Sequence, residues 1–175
     1  TGIELYGKTL GVVGLGRIGT EVAKRMAAFG MKIIGYEPFI TKEKAEQLGI
    51  EVMNVAELIK KADIITFHVP KNKETSNMIT AKEIATMKDG VMLVNCARGG
   101  LVDEAAAKKL IDSGHLAGIA GRREGDVPVQ RVADETFTLV GGREHWGAGV
   151  RSQRAPYVIQ CIADAVGLPQ TTTSL

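Results

Sequence analysis

Three glycines near the start of the chain have the spacing of a loop that binds phosphate groups. They lie in the run Gly14-Leu15-Gly16-Arg17-Ile18-Gly19, a G-x-G-x-x-G pattern. The first glycine permits a tight turn, the second lets the backbone approach a pyrophosphate, and the third lets a helix pack closely on a strand. N–H groups at the helix start would hold the anion. We therefore expect Gly14, Gly16, Arg17, Ile18 and Gly19 to bind a dinucleotide.

An acidic residue supports this interpretation and indicates which dinucleotide is bound. Glu37 follows an apolar run 18 residues beyond Gly19, close to the spacing at which a carboxylate accepts hydrogen bonds from adenosine ribose hydroxyls. A carboxylate there would repel the additional phosphate of NADP, so the pair predicts NAD. The alternative, an ordinary glycine turn and a solvated acid, requires the spacing to be a coincidence.

Other candidate residues follow later apolar runs. Arg98 is flanked by Gly99 and Gly100, and its guanidinium could bind a substrate carboxylate through two hydrogen bonds; a surface ion pair is the alternative. Cys96 is interpreted as a small buried residue rather than a nucleophile, because no partner pattern supports reactivity.

If the NAD-binding protein is an enzyme that oxidises an alcohol, it requires a base with a pKa near neutrality, for which histidine is the usual residue. The chain has three, His68, His115 and His145. Composition does not choose between them.

Short apolar runs alternate with amphipathic helical stretches, a pattern typical of a parallel sheet with helices on both faces. The fold class predicted is α/β, a doubly wound Rossmann sheet in a single domain over 1–166, with a tail at 167–175. Strands are predicted at 9–13, 31–36, 51–53, 63–68, 91–95 and 116–120. Helices are predicted at 17–29, 42–48, 55–61, 81–87, 103–111 and 155–166. Residues 121–144 keep no clean apolar period and are expected to be irregular.

Composition excludes several classes of protein. The 22 basic and 20 acidic residues are spread along the chain, so no basic arm predicts a nucleic-acid partner. The two cysteines have neither a disulfide framework nor metal-ligand spacing, which favours the cytoplasm and no metal site. No apolar run approaches the roughly 20 residues that cross a bilayer, so no membrane association is expected.

Several motifs resemble the coenzyme domain of the D-isomer-specific 2-hydroxyacid dehydrogenases. Beside the glycine run, the matching stretches are residues 1–10, Phe29-Gly30-Met31-Lys32, Gly35-Tyr36-Glu37-Pro38, His68-Val69-Pro70 and Asn95-Cys96-Ala97-Arg98-Gly99-Gly100. The last motif resembles the branch of the family that acts on 3-phosphoglycerate. The resemblance implies that Arg98 binds the substrate carboxylate. It also implies that Pro38, His68, Val69, Pro70, Cys96 and Ala97 lie beside NAD.

The resemblance further implies hydride transfer between a 2-hydroxy acid and NAD, with His145 as the acid/base. Glu124 would be its carboxylate partner by a gapped alignment, because residues 121–128 depart from the family pattern. The family's substrate domain is expected to be absent, so we expect this chain to bind NAD with little turnover and the full-length enzyme to be a homo-oligomer. The alternative is a non-catalytic NAD-sensing module, similar to the corepressors of the same family.

Overall fold

The computed structural model describes residues 4–95 and 97–121. They form one sheet of six parallel strands: β1 Thr9–Val13, β2 Lys32–Tyr36, β3 Glu51–Val52, β4 Ile64–Phe67, β5 Val91–Asn95 and β6 Leu116–Gly121. The strand order is β3-β2-β1-β4-β5-β6, which is the order of a doubly wound nucleotide-binding sheet. The predicted α/β Rossmann class is confirmed. The chain crosses from β3 to β4 on the other side of β1, so a crevice opens at the carboxyl ends of β1 and β4.

Five helices connect these strands: α1 Arg17–Ala28, α2 Lys42–Leu48, α3 Val55–Lys61, α4 Ala81–Ile84 and α5 Glu104–Asp112. Four of them begin at a residue whose side chain caps the first turn, namely Thr41, Asn54, Thr80 and Asp103. Such caps accept hydrogen bonds from N–H groups that lack a partner in the helix. By contrast, α1 begins at Gly16, which has no capping side chain. The N–H groups at the start of α1 are therefore not bound by a capping side chain among the described residues.

The predicted helix over 81–87 is wrong in its length. Helix α4 ends at Ile84, and the N–H of Met87 then donates to the Ile84 carbonyl, a three-residue step. The Thr86 hydroxyl also donates to the Glu83 carbonyl at 2.7 Å, a local bond that competes with helix continuation. The apolar period extends further than the helix because Met87 is still buried against the sheet.

The two faces of the sheet carry separate apolar cores. One face packs on α1, with Val22 and Met26 against Leu10 and Val12. The other packs on α3, α4 and α5, through residues that include Leu58, Ile59, Ile84, Ala107 and Ile111. Strands β4 and β5 are buried along their whole length, as expected for parallel strands covered on both faces. The sheet is thus covered by helices on both faces, and the candidate polar residues lie on the loops that follow its strands.

The predictions for 122–144, for a helix over 155–166 and for the tail at 167–175 lie outside the described residues. Within the described part of the chain, no helix is long and apolar enough to cross a bilayer.

Candidate functional site

The glycine loop leaves the sheet at the carboxyl end of β1. Gly14 has a φ of +100°, and a Cβ built there would lie 2.8 Å from the carbonyl carbon of His68. Its N–H donates to the Tyr36 carbonyl at 2.8 Å. Only glycine accepts both the positive φ and this close approach, so the predicted tight turn is confirmed at Gly14.

The other two glycines of the loop differ in what surrounds them. A Cβ on Gly19 would overlap the carbonyl oxygen of Gly14, and it would also lie 3.3 Å from Cγ1 of Val12. Gly19 therefore allows α1 to pack on the loop and on β1. A Cβ on Gly16 would meet no atom of the described chain within 4 Å. Nothing in the described fold explains a glycine at this position, whereas a ligand lying against the backbone would.

The first turn of α1 faces the same region. Arg17 is exposed, and Ile18 packs partly against the core that covers α1. Within the described residues, nothing accepts a hydrogen bond from the N–H of Arg17 or of Ile18. N–H groups at a helix start, together with the helix dipole, attract an anion.

Glu37 lies directly after β2, beside the glycine loop. Its Oε2 accepts a hydrogen bond from the Leu15 N–H at 3.1 Å, and its Oε1 accepts one from the Phe39 N–H at 3.4 Å. The side chain is half-buried, and the next residue, Pro38, is exposed. The structure thus brings the predicted ribose acceptor and the predicted phosphate loop into contact.

His68 follows β4 on the other side of the crevice. Its N–H donates to the Val13 carbonyl at 2.7 Å, and its Nε2 lies 3.0 Å from the hydroxyl of the fully buried Thr66. Burial lowers the pKa of His68 to about 4. An imidazole with this pKa is neutral at pH 7 and a weak base, so the structure disfavours His68 as the acid/base. Val69 is buried and Pro70 is exposed.

The Arg98 loop follows β5 and is shaped by Asn95, a residue of the matching motif for which the sequence predicted no role. Asn95 is 3% exposed; its Nδ2 donates to the Arg98 carbonyl at 2.8 Å, and its Oδ1 accepts from the Ala97 N–H at 3.3 Å. The guanidinium of Arg98 is exposed and donates to the Ala97 carbonyl at 3.0 Å. No carboxylate among the described residues pairs with it, which disfavours the surface ion pair. The sequence feature that could have indicated a role for Asn95 is its position, as a polar residue at the end of an otherwise apolar strand.

His115 lies at the opposite edge of the sheet. It precedes β6, with Nδ1 2.6 Å from Asp89 and Nε2 2.9 Å from the Ile84 carbonyl. The Ile84 carbonyl and then the Asp89 carboxylate raise the pKa of His115. This histidine ties α4 to the sheet and is remote from the carboxyl edge. The predicted site residues His145, Glu124 and Cys96 lie outside the described residues.

The structure therefore brings three groups to one edge of the sheet: the glycine loop, Glu37 and the segment that begins at His68. Arg98 follows β5 at the same edge. Among residues 4–95 and 97–121, no three His, Cys, Asp or Glu side chains are arranged to hold a metal ion.

Comparison with known proteins places this arrangement in a family. Residues 1–132 match the model for the D-isomer specific 2-hydroxyacid dehydrogenase, NAD binding domain. The chain is 54% identical over 148 residues to the D-3-phosphoglycerate dehydrogenase of Methanocaldococcus jannaschii, covering 84% of this chain and 28% of that protein. It is 46% identical over 172 residues to the enzyme of the same name from Synechocystis, covering 96% of this chain and 31% of the relative. The chain thus spans under a third of the length of these curated relatives.

Solved structures agree with the sequence matches. The D-lactate dehydrogenase of Aquifex aeolicus, complexed with NAD and lactic acid, is 41% identical with a TM-score of 0.66, over 71% of this chain and 37% of that one. The pyruvate reductase of Chlamydomonas reinhardtii is 34% identical with a TM-score of 0.67, over 72% and 38%. The chain belongs to the D-isomer specific 2-hydroxyacid dehydrogenases and contains their NAD-binding domain.

Proposed function

We propose that the carboxyl edge of this sheet holds NAD, with its pyrophosphate against the glycine loop and its adenosine ribose at Glu37. The observation that carries the proposal is Gly16: nothing in the described fold requires a glycine there, because a Cβ would meet no described atom within 4 Å. The neighbouring N–H groups of Arg17 and Ile18 have no acceptor among the described residues. Arg17 and Ile18 would supply N–H donors to the pyrophosphate. Pro38, Val69, Pro70 and Ala97, with Cys96, would line the remainder of the site.

Glu37 would select NAD over NADP. A carboxylate can accept hydrogen bonds from the two ribose hydroxyls of NAD, whereas it would repel a phosphate on the same ribose. The carboxylate of Glu37 is held beside the loop by its contact with the Leu15 N–H. Its position is thus fixed with respect to the proposed pyrophosphate site.

The reaction supported best is hydride transfer between a 2-hydroxy acid, 3-phosphoglycerate in particular, and NAD. When bound, the nicotinamide supplies the hydride acceptor. Arg98 would hold the substrate carboxylate, a role supported by its exposed guanidinium and by the absence of a carboxylate partner among the described residues. His145 would take the hydroxyl proton and Glu124 would orient it, two roles that the family resemblance alone supports. The names of the two relatives described above support 3-phosphoglycerate.

The same resemblance supports a cytoplasmic location and a homo-oligomeric full-length enzyme. The dispersed charge supports small-molecule partners rather than nucleic acid.

Titration calorimetry with NAD and with NADP tests the cofactor assignment. We expect the parent chain to bind NAD more tightly, and Glu37→Ala to reduce that preference by about tenfold or more, because hydrogen bonds to a charged group contribute roughly 1.5–3 kcal/mol. The matched control is Glu46→Ala, which removes an exposed carboxylate from α2. Equal affinity of the parent for both cofactors, or an unchanged ratio in Glu37→Ala, would contradict the proposal.

A further inference from the structure

Both carboxylate oxygens of Glu37 are bound by backbone N–H groups, and these come from two different loops. The bond from Leu15 is the shorter, at 3.1 Å, and it links residues 22 positions apart. The bond from Phe39, at 3.4 Å, is at the long end of hydrogen-bond geometry. The Leu15 contact is therefore the stronger of the two and joins the ribose acceptor to the glycine loop.

A second hydrogen bond joins the same two segments, the glycine loop and the end of β2. The Gly14 N–H donates to the Tyr36 carbonyl at 2.8 Å, so two successive N–H groups of the loop bind the last residue of β2 and the residue after it. Neither group is then available to a phosphate. The N–H groups that remain without an acceptor among the described residues are those of Gly16 and of the first turn of α1, and the loop conformation decides where they point.

We propose that Glu37 is a positioning residue for the phosphate loop in addition to accepting from the ribose. Its carboxylate holds the loop in the form that binds the anion before any ligand arrives. Each carboxylate oxygen has two acceptor sites, so each keeps one for a ribose hydroxyl while it holds its N–H. A site ordered in advance loses less conformational freedom on binding. This inference rests on the proposed function, because it concerns how the NAD site is prepared.

A ligand without a ribose separates this role from ribose binding. Inorganic pyrophosphate has no hydroxyl for Glu37 to accept from, and it is an anion. If the Glu37 carboxylate affected pyrophosphate only by charge repulsion, both Glu37→Ala and Glu37→Gln would strengthen pyrophosphate binding, since both remove a nearby negative charge. If the carboxylate holds the loop, Glu37→Ala weakens binding, because no acceptor remains for the Leu15 N–H.

The experiment is a titration of the chain with pyrophosphate, followed by the amide NMR signals of Gly16, Arg17 and Ile18. We expect Glu37→Ala to weaken binding by roughly three- to tenfold, the effect of one hydrogen bond. Glu37→Gln keeps an oxygen that accepts from Leu15 and should bind at least as tightly as the parent. Glu46→Ala, which removes an exposed carboxylate from helix α2, controls for the general effect of losing one negative charge. Stronger binding in Glu37→Ala, or equal changes in the Ala and Gln variants, would overturn the proposal.

A second measurement reports on the contact itself. Hydrogen exchange of the Leu15 amide should be slowed in the parent and in Glu37→Gln, and it should become faster in Glu37→Ala. An unchanged exchange rate in Glu37→Ala would overturn the proposal, as would a parent chain whose loop amides do not respond to pyrophosphate. NAD binding by the parent chain separates failure of this inference from failure of the proposed function. If the parent binds NAD but shows none of these effects, only the positioning role of Glu37 is contradicted. If the parent binds no NAD, the proposed function is contradicted as well.

Discussion

Substituting two glycines of one loop with the same residue should produce opposite outcomes. Gly16 has a φ of −66°, which any residue adopts, and its Cβ would meet no described atom within 4 Å. Gly16→Ala should therefore change the free energy of unfolding by less than about 1 kcal/mol, with a modest capping loss against a gain from the less flexible unfolded chain. Gly19→Ala would place its Cβ on the Gly14 carbonyl oxygen. The loop or the helix must then shift.

The cost at Gly19 can be compared with an opposing effect. Helix propensity favours alanine over glycine by roughly 1 kcal/mol, so propensity alone predicts that Gly19→Ala is stabilising. Overpacking a site that cannot relax typically costs about 1–3 kcal/mol. The obstacle here is the backbone of Gly14, which is itself fixed by its bond to Tyr36. The overlap should therefore prevail, and Gly19→Ala should be net destabilising.

Urea unfolding and NAD calorimetry on both variants measure the two effects. We expect Gly16→Ala to unfold at the parent's urea concentration and to lose NAD affinity by at least about tenfold, or 1.4 kcal/mol, because its Cβ occupies the space assigned to the pyrophosphate. Gly19→Ala should unfold at a lower concentration. A Gly19→Ala variant as stable as the parent would refute the packing argument, and a folded Gly16→Ala variant with parental NAD affinity would refute the phosphate site.

Three further predictions concern single side chains. Because the pKa of His115 is raised in the folded state, the charged imidazole contributes fully to stability below the unfolded pKa of about 6.5. This contribution is lost as the pH rises through the folded pKa. The difference in free energy of unfolding between the parent and His115→Gln, measured in urea, should therefore shrink from pH 6 to pH 9. The pKa of His68 near 4 gives the opposite sign: the contribution of the neutral ring, up to about 3 kcal/mol, is present above 6.5 and lost towards pH 4. Relative to His68→Asn, the parent should therefore lose stability on acidification, and a constant difference would contradict the burial argument. Asn95→Asp removes the donor to the Arg98 carbonyl and should cost about 1–3 kcal/mol at pH 8; less should be lost at pH 4, where a protonated carboxyl can donate, and equal losses would argue against this bond.

The order of strands and helices could be predicted from the sequence because the apolar runs and the punctuating glycines act locally. The predicted strands 9–13 and 91–95 match β1 and β5 fully, and each of the other four predicted strands differs from the structure by one residue at one or both ends. Helix α4 was the exception, since Met87 continues the apolar period by packing on the sheet after the helix has ended. An apolar residue at Met87 is expected whether the helix continues or the chain only packs on the sheet, so the sequence pattern does not distinguish the two.

The site was predictable only in part. The tasks of Gly14 and Gly19 follow from the family of loops that share their spacing, and the structure supports both. The contact between Glu37 and the Leu15 N–H could not be predicted, because it depends on how two loops meet across 22 residues. Asn95 was missed for a similar reason: its amide binds the backbone of the residues that follow, and a sequence does not show the shape of that turn.

The histidines show what position adds to composition. Residue type alone left His68, His115 and His145 equivalent as candidate bases. The structure places His115 before β6, at the amino edge, and gives His68 a pKa of about 4 through burial. Among the described residues neither is suited to be the base, so the assignment of His145 continues to rest on the family resemblance.

An amide NMR titration of the chain with NAD would show whether NAD binds at the carboxyl edge of this sheet. We expect shifts confined to the glycine loop, the first turn of α1, Glu37 and its immediate neighbours, the His68 segment, and residues 96–97, while the His115 amide at the opposite edge of the sheet stays unchanged. Shifts centred on His115, or no shifts at NAD concentrations of about 1 mM, which would detect binding as weak as roughly 4 kcal/mol, would contradict binding at this edge.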